Sequence, residues 1–230
     1  DMSEIFLKYW FTCEYDGKFF MSDIGFNGIL SLDKNTLEYR YERKFDHLTD
    51  EAKMAYGRVE RVGDTIWFFP NDGTDIAIYN PPNNTMETVS IKKDGVIHCN
   101  TSVSLKIQDK MICVLREISN GIWRIDIKSR QAERYQKLEE LFLNEGVDLL
   151  TDCDKAGEAS FVAIVGDNEI LIVDAETCVI LARKRMNIPS RIYIARYHEG
   201  TVWMGMLDST DVYSWNIEMD LVRKFTFFGN

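Results

Sequence analysis

The chain has 230 residues, 45% of them hydrophobic, and a formal net charge of −10 from 37 acidic against 27 basic side chains. A field of that sign repels phosphate backbones and anionic lipid, which argues against nucleic acid or a membrane surface as partner. No run of about 18 apolar residues offers a bilayer span, and with only four prolines and no Ser/Gly-rich linker one domain over 1–230 is expected.

Strand signals recur along the chain in groups of four, here labelled A to D. In the first group Tyr9, Phe11, Cys13 and Tyr15 fall at alternate positions, the period of a half-buried strand, and Ile5 and Leu7 extend the phase backwards. Asp16-Gly17 is a two-residue hairpin turn. Phe19–Met21 is strand B, 23–27 a polar loop, Ile29–Leu32 strand C and Leu37–Arg43 strand D. The second group reads Arg58–Val62, Ile66–Phe69, Ile76–Tyr79 and Met86–Ile91; Pro81 and Pro82 lack an amide proton and belong in its C–D turn. The third reads Ser102–Ile107, Met111–Leu115, Ile122–Ile125 and Ala132–Gln136. The fourth reads Val147–Thr151, Phe161–Val165, Ile170–Val173 and Val179–Ala182, with a long A–B turn over Asp152–Glu158. The fifth reads Ile192–Tyr197, Val202–Met206, Val212–Trp215 and Leu221–Phe228.

Two D–A connections carry helical patterns. Lys137–Asn144 places Leu138, Leu141 and Phe142 on one face and stops before Gly146, a natural C-terminal cap. Asp46–Ala55 has Thr49 as an N-cap and Asp50 and Glu51 in the first turn. Both are short enough to need packing for stability.

The five cysteines, Cys13, Cys99, Cys113, Cys153 and Cys178, are odd in number and scattered, and most fall among apolar strand residues. That usage suits a reducing compartment better than a disulfide framework. The N-terminus, Asp1-Met2-Ser3-Glu4-Ile5, lacks the basic-then-apolar pattern of a signal peptide, so a cytoplasmic location is expected.

The C strands share a frame: a polar pair, an alternating apolar run, then Asp or Asn. It occurs as Asn27-Gly28-Ile29-Leu30-Ser31-Leu32-Asp33, Thr74-Asp75-Ile76-Ala77-Ile78-Tyr79-Asn80 and Asn120-Gly121-Ile122-Trp123-Arg124-Ile125-Asp126. It recurs as Asn168-Glu169-Ile170-Leu171-Ile172-Val173-Asp174 and around Val212. Ile29, Ile76, Ile122, Ile170 and Val212 are spaced by 47, 46, 48 and 42 residues. A repeat of that length is the size of a four-stranded propeller blade. A sheet with two apolar faces, as Ile66-Trp67-Phe68-Phe69 implies, must be sandwiched between neighbours, while charged D strands such as Glu38–Arg43 suit a wet edge. The expected fold is all-β: a β-propeller of five four-stranded antiparallel blades at about 5–45, 56–92, 99–137, 146–184 and 190–230, with one or two short helices between D and A strands.

These runs resemble β-propeller repeats in general, Asn168–Thr177 most closely, and the chain resembles uncharacterised bacterial propeller proteins with aromatic repeats of this kind. Neither the Gly-His and Trp-Asp pairs of WD repeats nor the Gly-Gly pair of kelch repeats is present. The resemblance implies a fold and no particular activity.

In a propeller the B–C loops and the D–A connections share one face. The loop residues Asp23, Phe26, Asn27, Asn71, Asp72, Asp75, Glu117, Asn120, Asp167, Asp208 and Asp211 are therefore expected to form an acidic binding face for a protein, small-molecule or sugar ligand. Asp and Asn are also ordinary turn formers. Phe26 is the candidate platform for a sugar ring, the strand tryptophans Trp67, Trp123, Trp203 and Trp215 being core residues. Paired carboxylates about 5–10 Å apart could cleave glycosides, which makes a carbohydrate-binding or glycoside-processing propeller the alternative reading. The preferred one is a non-catalytic binding module. His47, His98 and His198 have no second ligand at metal spacing, so no metal, cofactor or catalytic residue is assigned.

Overall fold

The structure, a computed structural model, describes residues 11–23, 25–49, 55–71, 73–91, 101–115, 117–147 and 150–226. Asp72, Cys99, His98, residues 5–10 of the first expected strand and Phe227–Phe228 of the last lie outside them.

Among the described residues, twenty strands form five four-stranded antiparallel sheets, each joined in sequence order. The first holds β1 (Cys13–Tyr15), β2 (Lys18–Ser22), β3 (Ile29–Asp33) and β4 (Tyr39–Arg43). The second holds β5 (Tyr56–Val62), β6 (Thr65–Pro70), β7 (Asp75–Asn80) and β8 (Thr85–Ser90). The third holds β9 (Thr101–Ile107), β10 (Lys110–Leu115), β11 (Ile122–Asp126) and β12 (Ala132–Arg134), after which comes the helix α1 (Gln136–Asn144). The fourth holds β13 (Leu150–Lys155), β14 (Ser160–Val165), β15 (Glu169–Asp174) and β16 (Val179–Arg185); the fifth β17 (Ile192–His198), β18 (Thr201–Met206), β19 (Asp211–Asn216) and β20 (Leu221–Thr226). This is the five-blade, all-β propeller class that the repeat implies.

The chain divides into two compact units, residues 1–101 with 129–132 and residues 102–128 with 133–230. In the first, Phe20 and Ile29 pack with Tyr56, Val59, Ile66, Phe68, Ala77 and Tyr79 and with the connection residue Phe45. In the second, the fourth sheet shows why B and C strands are apolar throughout. Phe161, Ala163, Leu171 and Val173 face the third sheet and α1, while Val162, Ile164, Ile170 and Ile172 face the fifth. Successive residues of a strand point to opposite faces, so burying both faces leaves no polar position. The D strands stay largely exposed, β4 and β16 included.

The turns follow from local chemistry. Asp16 and Gly17 have φ of 48° and 73°, and Glu199 and Gly200 of 44° and 76°, the doubly positive pattern that matches strand twist in two-residue hairpins. The helix ends on Gly146 (φ 69°), with Gly146 N donating to Leu143 O and Val147 N to Phe142 O. Both bonds satisfy carbonyls that the helix leaves free.

Two expectations change. The strand placed at Val147–Thr151 runs instead over Leu150–Lys155, paired with β14, because Val147 is held by the helix cap and the carboxylates of Asp152 and Asp154 accept from the backbone amides of Ala195 and Tyr197 on β17. The helix expected from Asp46 does not form over 46–49, which make turns, and 50–54 lie outside the described residues. The carbonyls of Phe45, Leu48 and Thr49 accept hydrogen bonds from Asn27 Nδ2, which competes with a helical ladder there.

Candidate functional site

The loops between second and third strands are tied in every sheet to the connections between sheets. In the first unit Asn27, 7% exposed, bridges to the β4–β5 connection. Its Oδ1 accepts from Phe45 N at 3.0 Å, and its Nδ2 donates to Phe45 O at 3.1 Å and Thr49 O at 3.2 Å. Asp23, also buried, turns its own loop: Oδ1 accepts from Gly25 N at 2.5 Å and Phe26 N at 3.2 Å. Its Oδ2 is buried with no hydrogen-bond partner among the described residues. Phe26 is half-buried, its ring 6.1 Å from that of Tyr41, and the two close over Gly28, where a Cβ would meet both rings at 2.6 Å. Asn71 N donates to Ala55 O at 2.8 Å, which brings the β6–β7 loop to the same connection.

Between these segments lies a cavity of about 140 Å³, lined by His47, Tyr56, Pro70, Thr74 and Asp75 among others. His47 Nε2 and the Tyr56 hydroxyl are 2.6 Å apart. Burial pushes the imidazole below its usual range, with Asp75 and then Asp46 opposing, and burial likewise pushes the Tyr56 phenol up, reinforced by Asp75. With a neutral ring and a protonated phenol, the tautomer sets the direction: the hydroxyl donates to a bare Nε2, or an Nε2–H donates to the phenol oxygen. Thr74 Oγ1 donates to Asp75 Oδ2 at 3.4 Å. In an NMR titration His47 is expected below the ordinary value of about 6.5, and Asp75→Asn is expected to lower it further by removing the carboxylate that favours the cation. A value that stays put or rises would show that Asp75 does not act on the ring. Because the folded-state value is depressed, the unfolded chain takes up this proton first as pH falls. The stabilising contribution is therefore present above about pH 6.5 and lost below it.

The second unit repeats the arrangement with exposed acids. In the β10–β11 loop Glu117 is exposed and accepts from Asn120 Nδ2 at 3.4 Å, and the loop is held by the buried Glu139 of α1, whose Oε1 accepts from Ile122 N at 2.9 Å. Glu139 also binds Arg134, Oε1 accepting from Nε at 3.1 Å and Oε2 from Nη2. In the β14–β15 loop the exposed Asp167 meets Arg191 Nε at 3.3 Å and its carbonyl accepts from Ile192 N at 2.8 Å, while Asn168 Nδ2 donates to Ile188 O at 3.3 Å. In the β18–β19 loop Asp208 N donates to Ser190 Oγ at 3.4 Å and Leu207 N to Arg191 O at 2.9 Å. Asp211 is spoken for by Thr226 Oγ1 and Lys224 Nζ, each at 2.8 Å from its carboxylate; Lys224 first, then Thr226, hold its carboxyl below the usual range.

The sequence-expected residues thus divide by job. Asp23 and Asn27 are buried hydrogen-bonding residues inside their loops, and Asp72 lies outside the described residues. Phe26, Asn71 and Asp75 border the loop end of the first unit, where His47 and Tyr56, missed by the sequence reading, join Asp75 around the cavity. Glu117, Asn120, Asp167 and Asp208 stand on loop tips of the second. His47 carries no motif, and its partner sits nine residues on. Asp152 was also missed: buried, it accepts from Ala195 N at 3.3 Å and Arg196 Nη1 at 2.6 Å. Cys13, Cys113, Cys153 and Cys178 are free thiols, and burial pushes that of Cys13 up to about 12, which keeps it protonated and unreactive. No group of three or more His, Cys, Asp or Glu among the described residues is arranged to hold a metal ion, and none of the described helices is long and apolar enough to cross a membrane.

No protein-family model matches the sequence, and no curated relative does. Solved structures do share the fold. A computationally designed protein, Ika8, superposes with a TM-score of 0.63 at 14% identity over 95% of this chain. A chain of a nidogen/laminin complex gives 0.64 at 9% over 96%, and one of a mitotic checkpoint complex 0.66 at 11% over 97%. The chain spans 61%, 81% and 66% of those three chains respectively. At such identities the likeness is one of fold alone.

Proposed function

We propose that the protein is a non-catalytic binding module that engages a basic protein or peptide through the β10–β11, β14–β15 and β18–β19 loops. One observation carries this reading: three consecutive sheets place an exposed carboxylate, Glu117, Asp167 and Asp208, at the equivalent loop, and each loop is fixed from behind by hydrogen bonds. Loops already ordered lose little entropy on binding. Carboxylates of one sign at loop tips attract a cationic partner from a distance and set its orientation.

The test is a matched pair of charge reversals. Glu117→Lys/Asp167→Lys/Asp208→Lys is expected to lower affinity for partners captured from the native host by about tenfold or more, with strong salt dependence. Asp16→Lys/Asp64→Lys/Asp109→Lys changes net charge equally at the β1–β2, β5–β6 and β9–β10 turns and is expected to leave capture intact. Equal capture by both triple variants would sink the loop-face reading.

A further inference from the structure

At the opposite, turn-bearing side of the first two sheets lies a larger cavity of about 400 Å³. Phe20 and Tyr79 form its floor, Tyr15 and Pro81 a wall, and Lys18 and Arg40 its rim. Its volume falls in the range of small-molecule sites.

The charges at this rim are loosely ion-paired. Glu42 stands between the two cations with its side chain 11% exposed, Lys18 Nζ at 3.9 Å from Oε1 and Arg40 Nε at 3.8 Å from Oε2. Both distances are too long for hydrogen bonds. Oε1 instead accepts a 2.6 Å bond from Ser31 Oγ, which pins the carboxylate back onto β3. The next cation of the strand, Arg43, is committed elsewhere, Nη1 donating to Asn84 O at 2.5 Å and Nη2 to Asp46. The Tyr79 hydroxyl donates to Asn84 Oδ1 at 3.4 Å, and burial, then Glu42, hold the phenol protonated. Arg61 lies over the Tyr15 ring at 5.0 Å and keeps that wall in place. The lining thus carries two cations, Lys18 and Arg40, and two carboxylates, Glu42 and, at the β1–β2 turn, Asp16, over an aromatic floor.

We propose that the groove binds a small organic monocarboxylate with an apolar body, its carboxylate bridging Lys18 and Arg40 and its body lying against Tyr15 and Pro81. The planar guanidinium fork matches a carboxylate, and charge-assisted bonds of this kind are the strong ones. Glu42 selects for a single negative charge, because a dianion beside it meets twice the repulsion. The site shares no residue with the loops of the proposed partner face and stands or falls independently of them.

Benzoate, added to the whole chain and followed by NMR with calorimetry, is the probe, with benzamide and inorganic phosphate as comparisons. Benzoate is expected to give saturable shifts in β1, β4 and β7. Arg40→Gln and Lys18→Gln, both on the surface, should each weaken it about tenfold, and Glu42→Gln, which keeps the Ser31 bond, should tighten it. No saturable shift at tens of millimolar benzoate would overturn the proposal. So would benzamide or phosphate binding as well as benzoate, or Glu42→Gln weakening it.

Discussion

Replacing Phe45 by alanine is expected to destabilise the first unit by about 3–5 kcal/mol, the range for deleting a fully buried phenylalanine. Phe45 is 1% exposed although it lies in a connection outside any strand. Its ring centroid is 4.3 Å from that of Tyr56 and 5.2 Å, edge-on, from that of Phe68. Its backbone N–H and carbonyl are both bonded to Asn27. The truncation therefore opens a cavity beneath the His47–Tyr56 pair and loosens the segment that carries it. Two readouts separate these effects: hydrogen exchange in β6 and β7 reports the lost stability of this unit, and the NMR titration of His47 reports the loosened pair. Exchange should quicken, and the His47 value should move up toward its ordinary 6.5 as water reaches the ring. A loss of stability under about 1 kcal/mol would mean that the connection is not packed as described.

Removing the Glu139 carboxylate in the second unit is expected to cost about 3–5 kcal/mol, the range for breaking a buried charge pair. The side chain is buried on α1, and its loss leaves Ile122 N and the Arg134 guanidinium without this acceptor. Glu139→Gln retains an oxygen for Ile122 N and forfeits the charge, so its cost should be smaller, about 1–2 kcal/mol. Glu139 fixes the base of the loop that presents Glu117, so Glu139→Ala should also weaken capture of a basic partner at temperatures where the variant is still folded. Thermal unfolding of both variants, with affinity measured well below the transition, checks the pair. Equal stability losses for Ala and Gln would assign the effect to the charge alone.

The repeat of some 42 to 48 residues, the period-2 runs and the hairpin turns determined the architecture from the sequence alone. The reason is local: strand twist demands Asp16-Gly17 and Glu199-Gly200, and a sheet covered on both sides demands stretches such as Phe161–Val165. The helix at Gln136–Asn144 was legible through Leu138, Phe142 and Gly146 for the same reason. The boundary of β13 was not, since Asp152 and Asp154 read as turn residues; what holds them is long-range, their carboxylates accepting from the amides of Ala195 and Tyr197 some 43 residues away. Which loop polar residues face solvent and which fasten the chain was decided only by tertiary contact. Asp23 and Glu117 are both acids of a loop between second and third strands, yet one is buried in its own turn and the other stands in water. Periodicity says which way a side chain points; its partners 18 to 44 residues distant, as for Asn27 and Asp152, settle what it does.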